Sequence, residues 1–241
     1  MIMHRMVRSP KIDRSPNKRS PNLYHYYAGF SPKFVIDMIA NLNIDDKAVI
    51  MDPWNGSGTT TQVARDMGFS AIGYDINPVM VIVAKAKLLN CTIEIRKKLL
   101  DNLDSIIKIA ASFQNGTFSN EDPLNAWLDP ESALCFRNLE KAVHLSLVNN
   151  EYYSIYAQDS LANVSSLASF FYLALFKTLR SFLIRYVSSN PTWIKLASAK
   201  EGCIHPSPNE IYQGLENQIH EMIIAIAFND ENNNIKNLSI I

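Results

Sequence analysis

The run Val49-Ile50-Met51-Asp52-Pro53-Trp54-Asn55-Gly56-Ser57-Gly58-Thr59-Thr60-Thr61, with Ala71-Ile72-Gly73-Tyr74-Asp75-Ile76-Asn77-Pro78 after it, constrains the fold more than any other part of the chain. Its apolar start, Ala48 to Met51, is short and bounded, as a buried parallel strand is. Gly56 and Gly58 let the backbone turn sharply at the strand's carboxyl end, where open α/β sheets receive ligands. Thr59 to Met67 has helical composition, Gly68 stops it, and Ser70 to Tyr74 forms a second strand ending in Asp75. The order is strand, glycine turn, helix, strand, acidic turn, and a small molecule is expected at the two turns.

The chemistry of the turns narrows the ligand. A phosphate-binding loop needs Lys after its last glycine, and Thr59 stands there. A dinucleotide fingerprint needs a third glycine three residues after the second, where this chain has Thr61. Asp52 at the end of the first strand would repel a pyrophosphate but attract an ammonium or sulfonium group. The Asp75 carboxylate can accept from both hydroxyls of a ribose.

These residues resemble the amino-group DNA methyltransferases that use S-adenosylmethionine, whose first motif has the form Asp-Pro-Phe-x-Gly-Ser-Gly-Thr-Thr. Asp52 to Thr60 matches it, with Trp54 in place of Phe. Upstream, Phe30-Ser31-Pro32-Lys33-Phe34-Val35 is similar to the family's methionine-pocket motif, and Tyr74-Asp75-Ile76-Asn77-Pro78 to its second motif, whose acidic residue binds the ribose. The resemblance covers residues 23 to 90. It implies an α/β fold with a Rossmann-like class I methyltransferase sheet, present in part, and a largely helical insertion. It also implies S-adenosylmethionine as cofactor, held by Phe30, Ser31, Asp52, Pro53, Trp54, Asn55, Gly56, Ser57, Gly58, Asp75 and Ile76. The implied substrate is double-stranded DNA, methylated at cytosine N4 or adenine N6, as in restriction-modification systems.

Around that segment the chain divides into four parts. Residues 1–22 repeat Arg-Ser-Pro and carry six basic residues against Asp13, a net of +5 in a chain that balances 23 basic against 23 acidic residues. With so much Pro, Ser and charge they are expected to form a flexible basic arm, either solvated or laid along DNA phosphates. Residues 23–90 are the cofactor-binding α/β part. Ser31 is a good N-cap and Pro32 a good first residue for a helix bearing Phe34, Val35, Met38, Ile39 and Leu42. His25 just before it reads as a packing or surface histidine rather than a catalyst. Residues 91–206 are a mostly helical insertion and candidate target-recognition region. Thr92 to Phe113 forms one helix, Asp129-Pro130 opens a second, and Leu167 to Tyr186 carries an apolar stripe opposite Lys177, Arg180 and Arg185, which read as a solvated basic face, with contact to DNA as the alternative. Residues 207–241 hold a helix opened by Ser207-Pro208-Asn209-Glu210 and running to about Phe228, then a tail with a short strand candidate at Leu238 to Ile241.

Cys91, Cys135 and Cys203 are too few and too scattered for a disulfide framework or a metal site, and read as reduced thiols of a cytoplasmic protein. Neither a signal peptide nor a membrane-spanning run is legible.

The family's catalytic motif, Asp/Asn/Ser-Pro-Pro-aromatic, orients the target amine through a side-chain oxygen and a backbone carbonyl while the ring stacks on the flipped base. No Pro-Pro pair occurs in this chain. Its nearest counterpart is Asn190, Pro191 and Trp193, with Thr192 in the second proline's place, and a turn anchored by Trp193 is the preferred reading of it. With 48 residues after Trp193, the chain is expected to be the cofactor-binding part of a split or truncated enzyme. Its catalytic motif would come from a second polypeptide, or the chain would self-associate. A cofactor- or DNA-binding module without catalysis, or an RNA methyltransferase, is the alternative.

Overall fold

The computed structural model describes residues 6–12, 23–24, 29–113, 121–148, 161–187, 194–198 and 201–238. They form a mixed α/β protein, mostly helical, with one small parallel sheet of two strands. The elements run α1 (Pro32–Asn41), β1 (Val49–Asp52), α2 (Thr59–Asp66), β2 (Ser70–Gly73), α3 (Pro78–Lys87), α4 (Ile93–Ser112), α5 (Pro130–Leu147), α6 (Ser166–Phe182) and α7 (Pro208–Leu238). Contacts divide the chain into two units, the first of residues 1–90, 160–170 and 225–241, the second of residues 91–159 and 171–224.

The first unit is built on a strand–helix–strand crossover. β1 and β2 pair in parallel, Val49 with Ser70 through Asp52 with Gly73, a connection that needs the intervening helix α2. Val35 and Ile39 of α1 and Val63 and Ala64 of α2 make a buried cluster, against which Phe30, Phe34, Ile50, Met67, Phe69 and Ala71 pack. Strand residues alternate between faces, so the side chains not turned to this cluster face away from it. Val49, Met51 and Ile72 are accordingly exposed, as are Tyr74 and Ile76 beyond the strand. The Arg65 guanidinium on α2 donates to the Leu88 carbonyl at the end of α3 (2.9 Å). The Lys85 ammonium donates to the carbonyls of Leu161 (2.6 Å) and Val164 (2.8 Å), fastening that segment to α3.

Part of the segment expected to be a free arm is held down. The Arg8 guanidinium grips both Asp37 oxygens, at 2.7 and 2.6 Å, and the Pro10 carbonyl accepts the Ser31 N–H at 2.8 Å. Residues 6–12 therefore lie on α1. Residues 1–5 and 13–22 of that segment, and His25, are outside the described residues.

The second unit is helical because its sequence repeats one device, a capping side chain followed by proline. Asp122 accepts from Leu124 N–H ahead of a 3₁₀ turn at Pro123–Ala126, and Asp129 accepts from Ser132 N–H at the start of α5. Leu99, Leu103 and Ile106 of α4, Phe136 and Leu139 of α5, Phe171 and Leu173 of α6, and Ile211, Leu215 and Ile219 of α7 are buried. Arg137 is gripped by Asp122 through two hydrogen bonds of 2.7 and 2.9 Å and pairs also with Glu140. The basic residues expected on a solvated face are partly engaged inside this unit. Burial pushes the Lys177 pKa down, Arg180 lies over the Phe176 ring, and Arg185 donates to Tyr186 Oη. Cys91, Cys135 and Cys203 are free thiols.

Two local expectations are corrected. Ser31 stands at the N-cap of α1, yet its hydroxyl makes no capping bond, and the backbone amide is the group that finds a partner. α7 does not stop near Phe228 but continues to Leu238, so Leu238 is helical rather than part of a strand. No glycine or proline follows Gly214 to interrupt it. Ser207 and Glu210 do form the capping box at its start, Ser207 N–H to Glu210 Oε2 at 2.8 Å. Residues 239–241 lie outside the described residues.

Candidate functional site

The site is made where the two strands run out together. Pairing continues one step past them, Tyr74 N–H to the Asp52 carbonyl at 2.9 Å and Asn55 N–H to the Tyr74 carbonyl at 2.8 Å. That step sets the acidic turn beside the glycine turn. The Asp75 carboxylate joins them: Oδ2 accepts from Gly56 N–H and Oδ1 from Asn77 N–H, each at 2.8 Å. An ionised carboxylate offers about four acceptor positions, so one lone pair on each Asp75 oxygen is left after these bonds. At the end of β1, Asp52 Oδ1 accepts from Trp54 N–H at 3.0 Å. Asn77 Oδ1 accepts from Val79 N–H and caps α3.

Close packing fixes the glycine turn. Gly58 has φ +82°, and a Cβ there would lie 2.8 Å from Ala84 Cβ and 3.0 Å from Ala84 Cα. Only glycine lets α3 approach that closely. A Cβ on Gly73 would fall 2.4 Å from Asn55 Nδ2, because the Asn55 side chain packs directly against the end of β2. The Thr61 hydroxyl is 3.2 Å from both Asn55 Oδ1 and the Gly58 carbonyl, so its single proton is shared between them. A cleft of about 160 Å³ opens beside the turns, lined by Asn55, Thr61, Ala71, Gly73, Tyr74, Asp75, Val81, Ala84, Lys85 and Leu88.

The sequence-derived candidates fall into three groups. Asp52, Asn55, Gly56, Ser57, Gly58 and Asp75 come together at the two turns, with Gly56, Ser57 and Gly58 buried. Pro53, Trp54 and Ile76 sit on the same turns but point outward, Trp54 at 80% and Ile76 at 97% exposure. Phe30 and Ser31 lie at the start of α1, where the Phe30 ring meets Phe34 edge-on (centroids 6.2 Å apart) and packs against the first unit's core. Asn190, Pro191 and Trp193 lie outside the described residues.

Sequence reasoning missed Thr61, Lys85 and Arg8. Thr61 counted only as a missing glycine, although a hydroxyl one helical turn after Gly58 is placed to bond back to it. Lys85 and Arg8 act on residues distant in the chain and left no local sign. Among the described residues no group of three or more His, Cys, Asp or Glu is placed to hold a metal ion, and no helix is long and apolar enough to cross a membrane.

Residues 6–86, which take in both turns, α1 and the Arg8 contact, match the profile of the N6/N4 class of DNA methylase. Over those residues the chain is similar to the DNA methylases. Over 111 residues, 45% of this chain and 21% of the relative, it is 30% identical to the Type II methyltransferase M.MjaII of Methanocaldococcus jannaschii. Over 71 residues, 30% of this chain and 14% of the relative, it is 35% identical to the Type II methyltransferase M.BsoBI of Geobacillus stearothermophilus. The matches thus span about a fifth and a seventh of those relatives' lengths. No solved structure matches the chain. Asp52, the glycine turn and Asp75 all lie within the matched residues.

Proposed function

We propose that the matched residues bind S-adenosylmethionine at the carboxyl ends of β1 and β2, and that the chain serves methyl transfer to an exocyclic amine of DNA, cytosine N4 or adenine N6. The observation that carries this reading is the Asp75 carboxylate, fixed to both turns through Gly56 and Asn77 with acceptor capacity to spare. Two spare lone pairs suit two ribose hydroxyls. Asp52 supplies the negative charge that an ammonium or sulfonium group calls for. Both groups at the turns are acceptors, which fits this cofactor and disfavours a phosphate. The two strands and three helices are then the first part of a Rossmann-like sheet.

The same geometry supports a contribution from outside these 241 residues. Pockets for ligands of this size run to about 300–1,000 Å³, whereas the cleft measures about 160 Å³. It takes one end of the cofactor. The exposed Trp54 and Ile76 at the turns, and Val49, Met51 and Ile72 on the open sheet face, are apolar surface for further polypeptide to cover. That polypeptide would carry the Pro-Pro-aromatic loop that this sequence lacks.

The test is transfer of a labelled methyl group to unmethylated DNA, by the chain alone and together with a polypeptide bearing the Pro-Pro-aromatic motif. Transfer only in the mixture, lost on Asp75→Ala, is the expected result. Transfer by the chain alone, abolished by Asn190→Ala, would instead place the catalytic loop at Asn190, Pro191 and Trp193. A chain that binds cofactor and DNA yet transfers nothing in either setting would be a binding module.

A further inference from the structure

We propose that residues 6–12 are a positioning strap for the proposed cofactor site, with Arg8 as its anchor, an inference that rests on the proposed binding of S-adenosylmethionine at the two turns and on the resemblance that assigns Phe30 and Ser31 to its methionine end. The strap touches the segment between Ser31 and Asp37 at its two ends. At one end Arg8 uses one edge of its fork: Nε and Nη2 donate to Asp37 Oδ2 and Oδ1 at 2.7 and 2.6 Å, its own backbone N–H donates to Oδ2 at 2.9 Å, and Nη2 reaches the Lys33 carbonyl at 3.3 Å. At the other end the Pro10 carbonyl takes the Ser31 N–H at 2.8 Å.

This second contact is what matters for the site. Ser31 ends the loop that carries Phe30 into α1, Pro32 has no N–H of its own, and the Ser31 hydroxyl does not cap the helix. The strap therefore satisfies the last loop amide before the helix and leaves the hydroxyl uncommitted to capping. A bidentate arginine–carboxylate pair fixes orientation as well as distance. Anchored on Asp37, Arg8 holds Pro10, and Pro10 holds Ser31. Arg8 touches no ligand in this scheme and acts through the other two.

The test compares Arg8→Ala with Lys11→Ala in the full chain. Both remove one positive charge from the strap, but Lys11 is exposed and lies beyond Pro10. Cofactor affinity is read by calorimetry, hydrogen exchange is read at the Ser31 amide, and melting temperature serves as the control. For Arg8→Ala, faster exchange at Ser31 and affinity weaker by about three- to fivefold are expected, the range a half-exposed ion pair allows. Arg8→Lys, which keeps the charge and loses the fork, should fall between the two. Lys11→Ala should match the wild type in all three readouts. Equal losses in Arg8→Ala and Lys11→Ala would reduce the effect to general charge and overturn the strap. So would wild-type affinity in Arg8→Ala when Asp75→Ala has lost binding, a result that leaves the cofactor reading intact. No binding by the wild-type chain would overturn both.

Discussion

Replacing Gly58 by alanine tests how tightly the glycine turn is wedged against α3. Two costs add. At φ +82° a side chain enters the left-handed region, which costs about 1–2 kcal/mol. The new Cβ also stands 2.8 Å from Ala84 Cβ and 3.0 Å from Ala84 Cα, whereas carbon atoms rest at about 3.5–4.0 Å. α3 must therefore give way, and overpacking of this kind typically costs about 1–3 kcal/mol. Gly68 supplies the control, since its φ of +87° is similar but nothing lies within 4 Å of its Cβ position. Gly68→Ala should thus lose only the conformational part, about 1–2 kcal/mol, and Gly58→Ala about 2–5 kcal/mol in all. Hydrogen exchange at the amides of β1 and α2 reads the first unit by itself. If the two variants open those amides equally, the close approach of α3 to the turn is not what selects glycine at position 58.

Three further outcomes follow from particular side chains. Thr61→Val should loosen the Asn55 amide and destabilise the first unit by about 1 kcal/mol, the net worth of one neutral hydrogen bond, seen as faster exchange at Asn55 and Gly58. Burial holds the Lys87 pKa down at about 8 although part of the residue reaches the surface. The folded chain then binds fewer protons than the unfolded chain between about pH 8 and the ordinary lysine value, so stability from this group rises with pH across that window. Lys87→Met should be more stable than wild type at pH 7, by at most about 3 kcal/mol, with the advantage shrinking toward pH 10.5 in urea unfolding. For Asp122, burial pushes the pKa up, but the bonds from Arg137 and the Leu124 N–H outweigh it and hold the carboxyl below its ordinary value. Its contribution is present above the ordinary carboxylate pKa and lost as pH falls through the lowered one. Asp122→Asn should cost the second unit about 3 kcal/mol at pH 7, the lower end for a broken buried pair because Arg137 keeps Glu140. The gap from wild type should close in acid.

Local patterns made much of the fold legible. β1 and β2 announced themselves as short apolar runs bounded by turn residues, and Asn77-Pro78, Asp129-Pro130 and Ser207 with Glu210 marked helix starts that the structure has. The acidic residue after β2 pointed to the carboxyl end of the sheet, where Asp75 does join the turns. What was hidden depends on partners far away in sequence. Nothing near Arg8 foretells Asp37, 29 residues on, and nothing near Lys85 and Lys87 foretells the distant carbonyls that hold the one or the burial of the other. α7 outran its expected end because a polar composition disfavours a helix only weakly when neither glycine nor proline stops it.

The most direct test of the central claim is calorimetric titration of the 241-residue chain with S-adenosylmethionine, beside the Asp75→Ala variant. The account predicts saturable binding at one site per chain, weakened at least about tenfold in Asp75→Ala, since losing a hydrogen-bond partner that is charged costs about 1.5–3 kcal/mol. Equal affinity in the two proteins, or no heat with wild-type protein whose β1 and α2 amides are fully protected, would contradict it.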